Sequence, residues 1–475
     1  MEHTLSEQQA QDVLDLIQWQ RKSVRRLRQQ RSAERILKLK QLKQYLMSHQ
    51  EELCAVMAAD FRKPAAEVLL AEVLSVKMEL DHAISHLKQW MEPKSVPTPM
   101  SLLGTKSHVH IESKGSSLII APWNYPFSLA IGPLIFALSA GCPVIIKPSE
   151  LSPNTSGFIK QMISNLFDRT EVAVLEGDAS MATFLLDQKF DHIFFTGSPA
   201  IGKYVMAAAA KHLSSVTLEL GGKSPAIVHA SADLPSAAAK IAWGKFVNNG
   251  QTCIAPDYLL VQESVYLLFI EQLETAIKKH YGERPEDRAQ SKDLARMVNL
   301  RHFKRVQALL EDAKEQGAAV LFGGEQSEAD LYLAPTLLHQ VQAGMRIMQE
   351  EIFGPILPIL PFKDAEEVIA GLEAEEKPLS LYVFAKDQEF SQQILDQTSS
   401  GTAVVNDCLL QFSHPDLPFG GVNHSGIGKT KGYYGFLEFS NQKSVLVQKT
   451  NFMRFIYPPY GKRVAWLIER FVRWM

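Results

Sequence analysis

Three side chains in the sequence could together carry out covalent carbonyl chemistry. Cys253 stands in GQTCIAPD, between a Gly-Gln turn and a Pro-Asp turn, which predicts a loop at an element boundary. A lone cysteine is more often a small buried hydrophobe than a nucleophile. The company it keeps favours the nucleophile. Glu219 closes the apolar run LELGGK, which predicts a carboxylate at a strand end and fits a general base. Paired to a cation, the same carboxylate would be merely structural. Asn124 stands in APWNYPF between a strand and an apolar helix, with Pro122 and Pro126 stiffening the backbone. It could cap the helix or aim its amide at a developing oxyanion.

A second set could hold a nucleotide. Lys147 and Glu150 in KPSE follow the apolar run PVII, where an ammonium and a carboxylate can bond ribose hydroxyls. FFTGSPAIG reads as strand, tight turn and helix start, so Gly197 and Ser198 would offer backbone N–H groups to a pyrophosphate. It lacks the GxGxxG pattern and is weak evidence alone. Glu351 and Phe353 stand in EEIFGP, which on its own reads as a loop. Trp123 and Tyr125 suggest an apolar, partly aromatic substrate funnel, although aromatics there are also ordinary core. The 14 histidines show no HExxH or CxxC-type metal spacing, so no metal is expected.

The elements that must position these residues follow from periodicity. Val13, Ile17, Ile36, Leu39, Leu42, Leu46, Leu53, Val56 and Met57 recur at helical spacing, so residues 6–91 read as helices. The basic run between Arg21 and Lys43 reads as a solvated helix face. After the break at Pro93–Pro99, short strand ends (SSLIIAP, EVAVLEG, DHIFFTG, VTLELGG) alternate with helical segments such as Phe127–Ala140 and Ala200–Leu213. That alternation predicts an α/β fold with a doubly wound, Rossmann-type parallel sheet, with ligands at the strands' carboxyl ends.

Composition sets outer bounds. The 475 residues suffice for two or three domains, and 49 basic against 52 acidic residues give no general reason to expect nucleic acid. Four scattered cysteines, no apolar signal core and no run long enough to span a bilayer predict a reduced, cytoplasmic protein. At the end of the chain, Val464, Leu467, Ile468, Phe471 and Met475 fall at helical spacing among Lys462, Arg463, Arg470 and Arg473. Such a tail could lie weakly on a membrane surface or pack on protein.

Taken together, APWNYPF, KPSE, FTGS, LELGGK, GQTC, EIFGP and LPFGG resemble the aldehyde dehydrogenase superfamily, in its motif order and with a similar Glu219–Cys253 separation. NNGQTCIAPDY, KPLSLYVFAKD and YPPY are similar to the class 3 group, whose members oxidise fatty or aromatic aldehydes with NAD or NADP. The resemblance implies a nucleotide-binding domain over 1–222 with an oligomerisation segment near 100–114. It also implies a catalytic domain over 223–415, a return to the cofactor domain and oligomerisation strand over 416–450, and a tail over 451–475. It implies a homodimer, NAD with NADP admitted, Glu351 on the nicotinamide ribose with Phe353 packed near it, Leu220 as a further cofactor contact, and Lys147 and Glu150 on the adenosine ribose. One departure is GGVNHSG, where Asn423 and His424 replace the more usual pair. An effect on loop shape or substrate entrance is expected there. Loop N–H groups and a cationic cofactor ring are expected to favour the Cys253 thiolate. The alternatives are an acylating, coenzyme A-dependent dehydrogenase, a non-catalytic protein on the same fold, and a cysteine hydrolase.

Overall fold

The structure, a computed structural model, describes residues 5–451, 454 and 457–474. Two parallel sheets face each other across the site. The first contains Ser117–Ile120, Val144–Lys147, Val172–Val174, His192–Thr196 and Ser215–Glu219, with Gly426–Ile427 added antiparallel beyond Ser215–Glu219. In space, Ser117–Ile120 lies between Val144–Lys147 and His192–Thr196, so the strand order reverses there and opens a crevice at the carboxyl ends.

Side-chain alternation covers both faces of this sheet. Ile119, Ile146 and Phe194 enter a core shared with Ser32–Ser48, Ser75–Trp90 and Ser128–Ala140. Leu118, Ile120, Ile145, Ile193 and Phe195 enter the opposite core, against Glu7–Arg28 and Pro199–Ala210. Of the apolar residues marking the N-terminal helices, Ile36 and Val56 are half-buried and the other seven are buried. The basic run is mostly a solvated face, with one correction. Arg35 is buried, and it donates to the carbonyls of Ser139 (2.8 Å) and Arg28 (3.1 Å), in the closing turns of two helices. A guanidinium there suits the negative helix ends.

The second sheet contains Pro225–Val228, Tyr258–Gln262, Ile356–Phe362, Thr336–His339, Ser380–Phe384 and Thr402–Val405 in parallel, with Ala319–Phe322 antiparallel at one edge. The chain passes from the carboxyl end of Ser215–Glu219 through Leu220–Ser224 into the amino end of Pro225–Val228. The expectation that the site gathers at carboxyl ends therefore holds for the first sheet only. Cys253 and Glu351 precede strands of the second sheet and sit at its amino edge.

A third sheet stands apart from both. Lys94–Val96, Thr105–Ser113 and Ser440–Gln448 pair antiparallel, running from Ser440 opposite Ser113 to Gln448 opposite Thr105. The tail forms a helix over Lys462–Trp474, with Leu467 and Phe471 exposed; Met475 lies outside the described residues.

Candidate active site

A cavity of about 740 Å³ fills the crevice between the two sheets. Trp123, Asn124, Gly197, Ser198, Glu219, Leu220, Cys253, Glu351 and Phe353 all line it. Residues brought together from both sheets thus share one space. His424 also lines it, 3.8 Å from Glu376.

Three of the sequence candidates lie elsewhere. Tyr125 does not line the cavity: its hydroxyl bonds Thr252 Oγ1 at 2.8 Å, and its ring lies under the Lys63 ammonium. The amphipathic phenol has been used to tie two loops together. Lys147 and Glu150 stand at the neighbouring strand end but pair with each other at 2.7 Å, outside the lining.

The nucleophile loop is built from unusual backbone. Asn248, Asn249 and Gly250 are successive left-handed residues, at φ 52°, 54° and 74°. Asparagine and glycine tolerate that region where β-branched residues would not. Gln251 then stitches the loop down, donating to Asn248 O and Arg296 O and accepting from Val298 N–H, each at 3.0 Å. A Cβ on Gly250 would lie 2.3 Å from the Gly354 carbonyl oxygen, so the GQTC and EIFGP loops touch backbone to backbone. Gly250→Ala is expected to cost about 2–5 kcal/mol, from left-handed strain plus overpacking. Denaturant unfolding of the variant measures this.

Asn124 is buried, and its Nδ2 donates to Gln251 O at 3.1 Å. That bond sets the amide beside the Cys253 loop and leaves its second N–H free to serve a ligand. Glu219 is also buried. Its Oε1 accepts from Thr430 Oγ1 at 3.4 Å, while Oε2 has no partner among the described residues. An unpaired buried carboxylate oxygen is costly and points to a working group.

On the far wall, Lys223 donates to Ile347 O (2.8 Å), to Glu350 O (3.1 Å) and to Asp257. Asp257 accepts Ile352 N–H at 3.0 Å, and Arg305 donates to Glu351 O at 3.1 Å. These bonds fix the Glu351 loop, in which Phe353 holds a strained φ of 47° and packs edge-on to Trp123. Lys223 and Asp257 could have been noticed in LELGGK and GQTCIAPD. Arg305 had no local signal.

Electrostatics refine the expected thiolate. The Cys253 thiol is pushed up to about 12 by burial first and then by the Glu351 and Glu219 carboxylates. The N–H groups of Cys253 and Ile254 oppose this, as expected, but burial wins. By itself the site therefore holds a protonated thiol.

Glu219 is pushed up to about 8 by burial, with Lys429, Thr430 and Lys431 pulling down and Glu438 adding to the rise. The folded protein keeps this proton up to about pH 8, whereas the unfolded chain loses it near 4.5. The contribution is fully present below 4.5 and is lost as pH rises through 8. Glu219→Gln should therefore melt higher than wild type above about pH 8 and show no such gain near pH 4.5. Thermal unfolding across pH checks the sign.

A second, smaller and mainly apolar cavity of about 50 Å³ opens on the other side of Glu219 and Cys253. Phe136, Phe412 and Phe419 line it, and it meets the first at Leu129, Thr196, Glu219, Leu220 and Cys253. The sequence reading missed these residues, since nothing local distinguishes them from core.

Comparison with known proteins gives the family and the fold. The model of the aldehyde dehydrogenase family matches residues 3–445. The AldX protein of Bacillus subtilis is 46% identical over 94% of this chain and 99% of its own length. The 4,4'-diaponeurosporen-aldehyde dehydrogenase of Staphylococcus aureus is 42% identical over 90% and 92%. The dimeric NADP-preferring aldehyde dehydrogenase of Canis lupus familiaris is 40% identical over 90% and 93%. Among solved structures, the substrate-bound state of Staphylococcus aureus AldH superposes with a TM-score of 0.92 at 39% identity, covering 97% of this chain and 99% of that one. The NAD+ complex of aldehyde dehydrogenase from Bacillus cereus gives 0.85 at 27% identity, covering 93% and 89%. This chain belongs to the aldehyde dehydrogenase family.

Proposed function

We propose that this protein oxidises aliphatic (medium- or long-chain) or aromatic aldehydes to carboxylic acids with NAD or NADP, through a covalent intermediate on Cys253. The observation that carries the reading is that Cys253 and Glu219 stand where two cavities join, with Asn124 beside them in the wall of the larger one. The larger cavity suits a dinucleotide, and the apolar walls of the smaller one suit the part of the aldehyde next to its carbonyl.

The residues present fit such a cofactor. Gly197 and Ser198 begin the helix Pro199–Ala210, whose positive end and the nearby Lys203 face the cavity and would hold a pyrophosphate. Glu351 would accept ribose hydroxyls, and Leu220 and Phe353 would flank the ring. Lys147 and Glu150 are proposed for the adenosine ribose from their place at the adjoining strand end. When bound, the oxidised nicotinamide supplies the two-electron acceptor and a positive charge that favours the thiolate.

The chain's own work is then as follows. Beside that charge the Cys253 thiol gives its proton to water, and Sγ attacks the aldehyde carbon to form a thiohemiacetal oxyanion. The free Asn124 N–H and the Cys253 backbone N–H stabilise its oxyanion, each such donor being worth about two to three orders of magnitude in rate. After oxidation to the thioester, Glu219 takes a proton from water, which attacks the acyl carbon. The acid leaves and Sγ is released.

Glu219 also decides between acceptors. A base placed for water favours hydrolysis over transfer to coenzyme A, and product analysis with and without coenzyme A separates the two. Formation of reduced nicotinamide across an aldehyde panel, with NAD and NADP in parallel, tests the reading as a whole. No turnover by folded protein with any of them would overturn it.

The surrounding organisation is read in the same way. We assign residues 1–222 and 416–450 to the cofactor domain and its arm, and residues 223–415 to catalysis. The arm's strand Ser440–Gln448 exposes Leu446 and Val447, which supports a homodimer through this sheet. Four free cysteines suit a reducing cytoplasm, and no helix among the described residues is long and apolar enough to cross a membrane. The tail helix sets exposed Trp466, Leu467 and Phe471 among basic residues, which supports weak contact with an anionic lipid surface. Absence of liposome flotation by the intact protein would end that idea.

A further inference from the structure

Behind the oxyanion site lies an ion pair that the mechanism above does not use. Lys63 and Glu72 pair at 2.8 Å with both side chains fully buried. Taking two charges out of water costs several kcal/mol per ion, and an apolar pair would often serve stability as well. The pair therefore calls for a reason beyond packing.

Its contacts supply one. Lys63 Nζ donates to the Asn124 carbonyl at 3.2 Å, and the Glu72 carboxylate accepts Ser128 N–H at 2.7 Å. One ion pair thus grips both ends of the turn that carries Asn124. Lys63 Nζ also stands 3.7 Å from the centre of the Tyr125 ring, whose hydroxyl bonds Thr252, the residue before Cys253. Asn248 Nδ2 closes the knot, donating to Asn124 O at 2.9 Å and to Gln251 O at 3.1 Å. Gln251 O is the same acceptor that orients the Asn124 amide.

We propose that Lys63, held by Glu72, is a positioning residue for the oxyanion site: it aligns the Asn124 amide with Cys253 and touches neither substrate nor cofactor. The inference rests on the reading that Asn124 donates to the oxyanion. Misplacing one such donor by a fraction of an ångström removes most of its benefit, which is realised only in the transition state. The effect should therefore fall on kcat.

The test is a double-mutant cycle in the full-length protein, read as NADH formation with a medium-chain aldehyde. Lys63→Met should lower kcat roughly 10- to 100-fold and move both KM values less than about threefold. Asn124→Ala should lower it roughly 100- to 1,000-fold. Adding Lys63→Met to Asn124→Ala should cost little more, because the group it positions is already gone. Lys63→Met/Glu72→Gln removes both charges and serves where the single change leaves Glu72 too costly to bury. Folded Lys63 variants with wild-type kcat would overturn the proposal, as would a loss that multiplies in full on the Asn124→Ala background. A wild type inactive with every aldehyde would instead overturn the dehydrogenase reading beneath it.

Discussion

Cys253→Ala should abolish formation of reduced nicotinamide from every aldehyde the wild type accepts, by roughly four to six orders of magnitude. The substitution removes the only atom in the site proposed to bond the substrate carbon. It leaves the scaffold intact, because the loop is held by Gln251 and Asn124 and not by the thiol. Melting temperature and cofactor affinity should accordingly stay near wild type while turnover is lost. A hydrolase using Cys253 without redox chemistry would also lose activity, but its wild type would turn over esters indifferently to NAD.

Glu219→Gln should divide the reaction in two. Acylation does not need the Glu219 base, so one equivalent of reduced cofactor per site should still form quickly. The following steady state should fall by roughly two to four orders of magnitude, as expected on losing a positioned base. In the wild type, turnover should rise with pH through about 8, since burial holds Glu219 protonated below that value and only the ionised carboxylate accepts a proton. The Gln variant should lose this limb of the profile. Rapid mixing with absorbance detection shows both. A variant that loses burst and steady state together would place Glu219 in the acylation step.

Much of this was written in local sequence. Glu219, Cys253 and Asn124 each stand at a junction whose punctuation is readable, and alternating runs such as Ser117–Ile120 and His192–Thr196 announce a sheet buried on both faces. What could not be read there depends on distant partners. Tyr125 turns from the cavity because Thr252 and Lys63 claim it from two other segments. Lys63 and Glu72 look like ordinary helix charges until folding carries them behind Asn124. The direction of the Cys253 shift depends on burial against two carboxylates, which spacing does not encode. The amino-edge placement of Cys253 follows from the Leu220–Ser224 crossover, which feeds the second sheet opposite the first.

The central claim is a covalent acyl bond at Cys253, and mass spectrometry of Glu219→Gln tests it most directly. The protein would be mixed with NAD and a medium-chain aldehyde, quenched in acid and digested. The predicted result is the peptide containing Cys253 heavier by the acyl group, at near one equivalent, and unmodified when NAD or aldehyde is omitted. Reduced cofactor formed with no adduct, or an adduct on Cys54, Cys142 or Cys408 instead, would contradict the account.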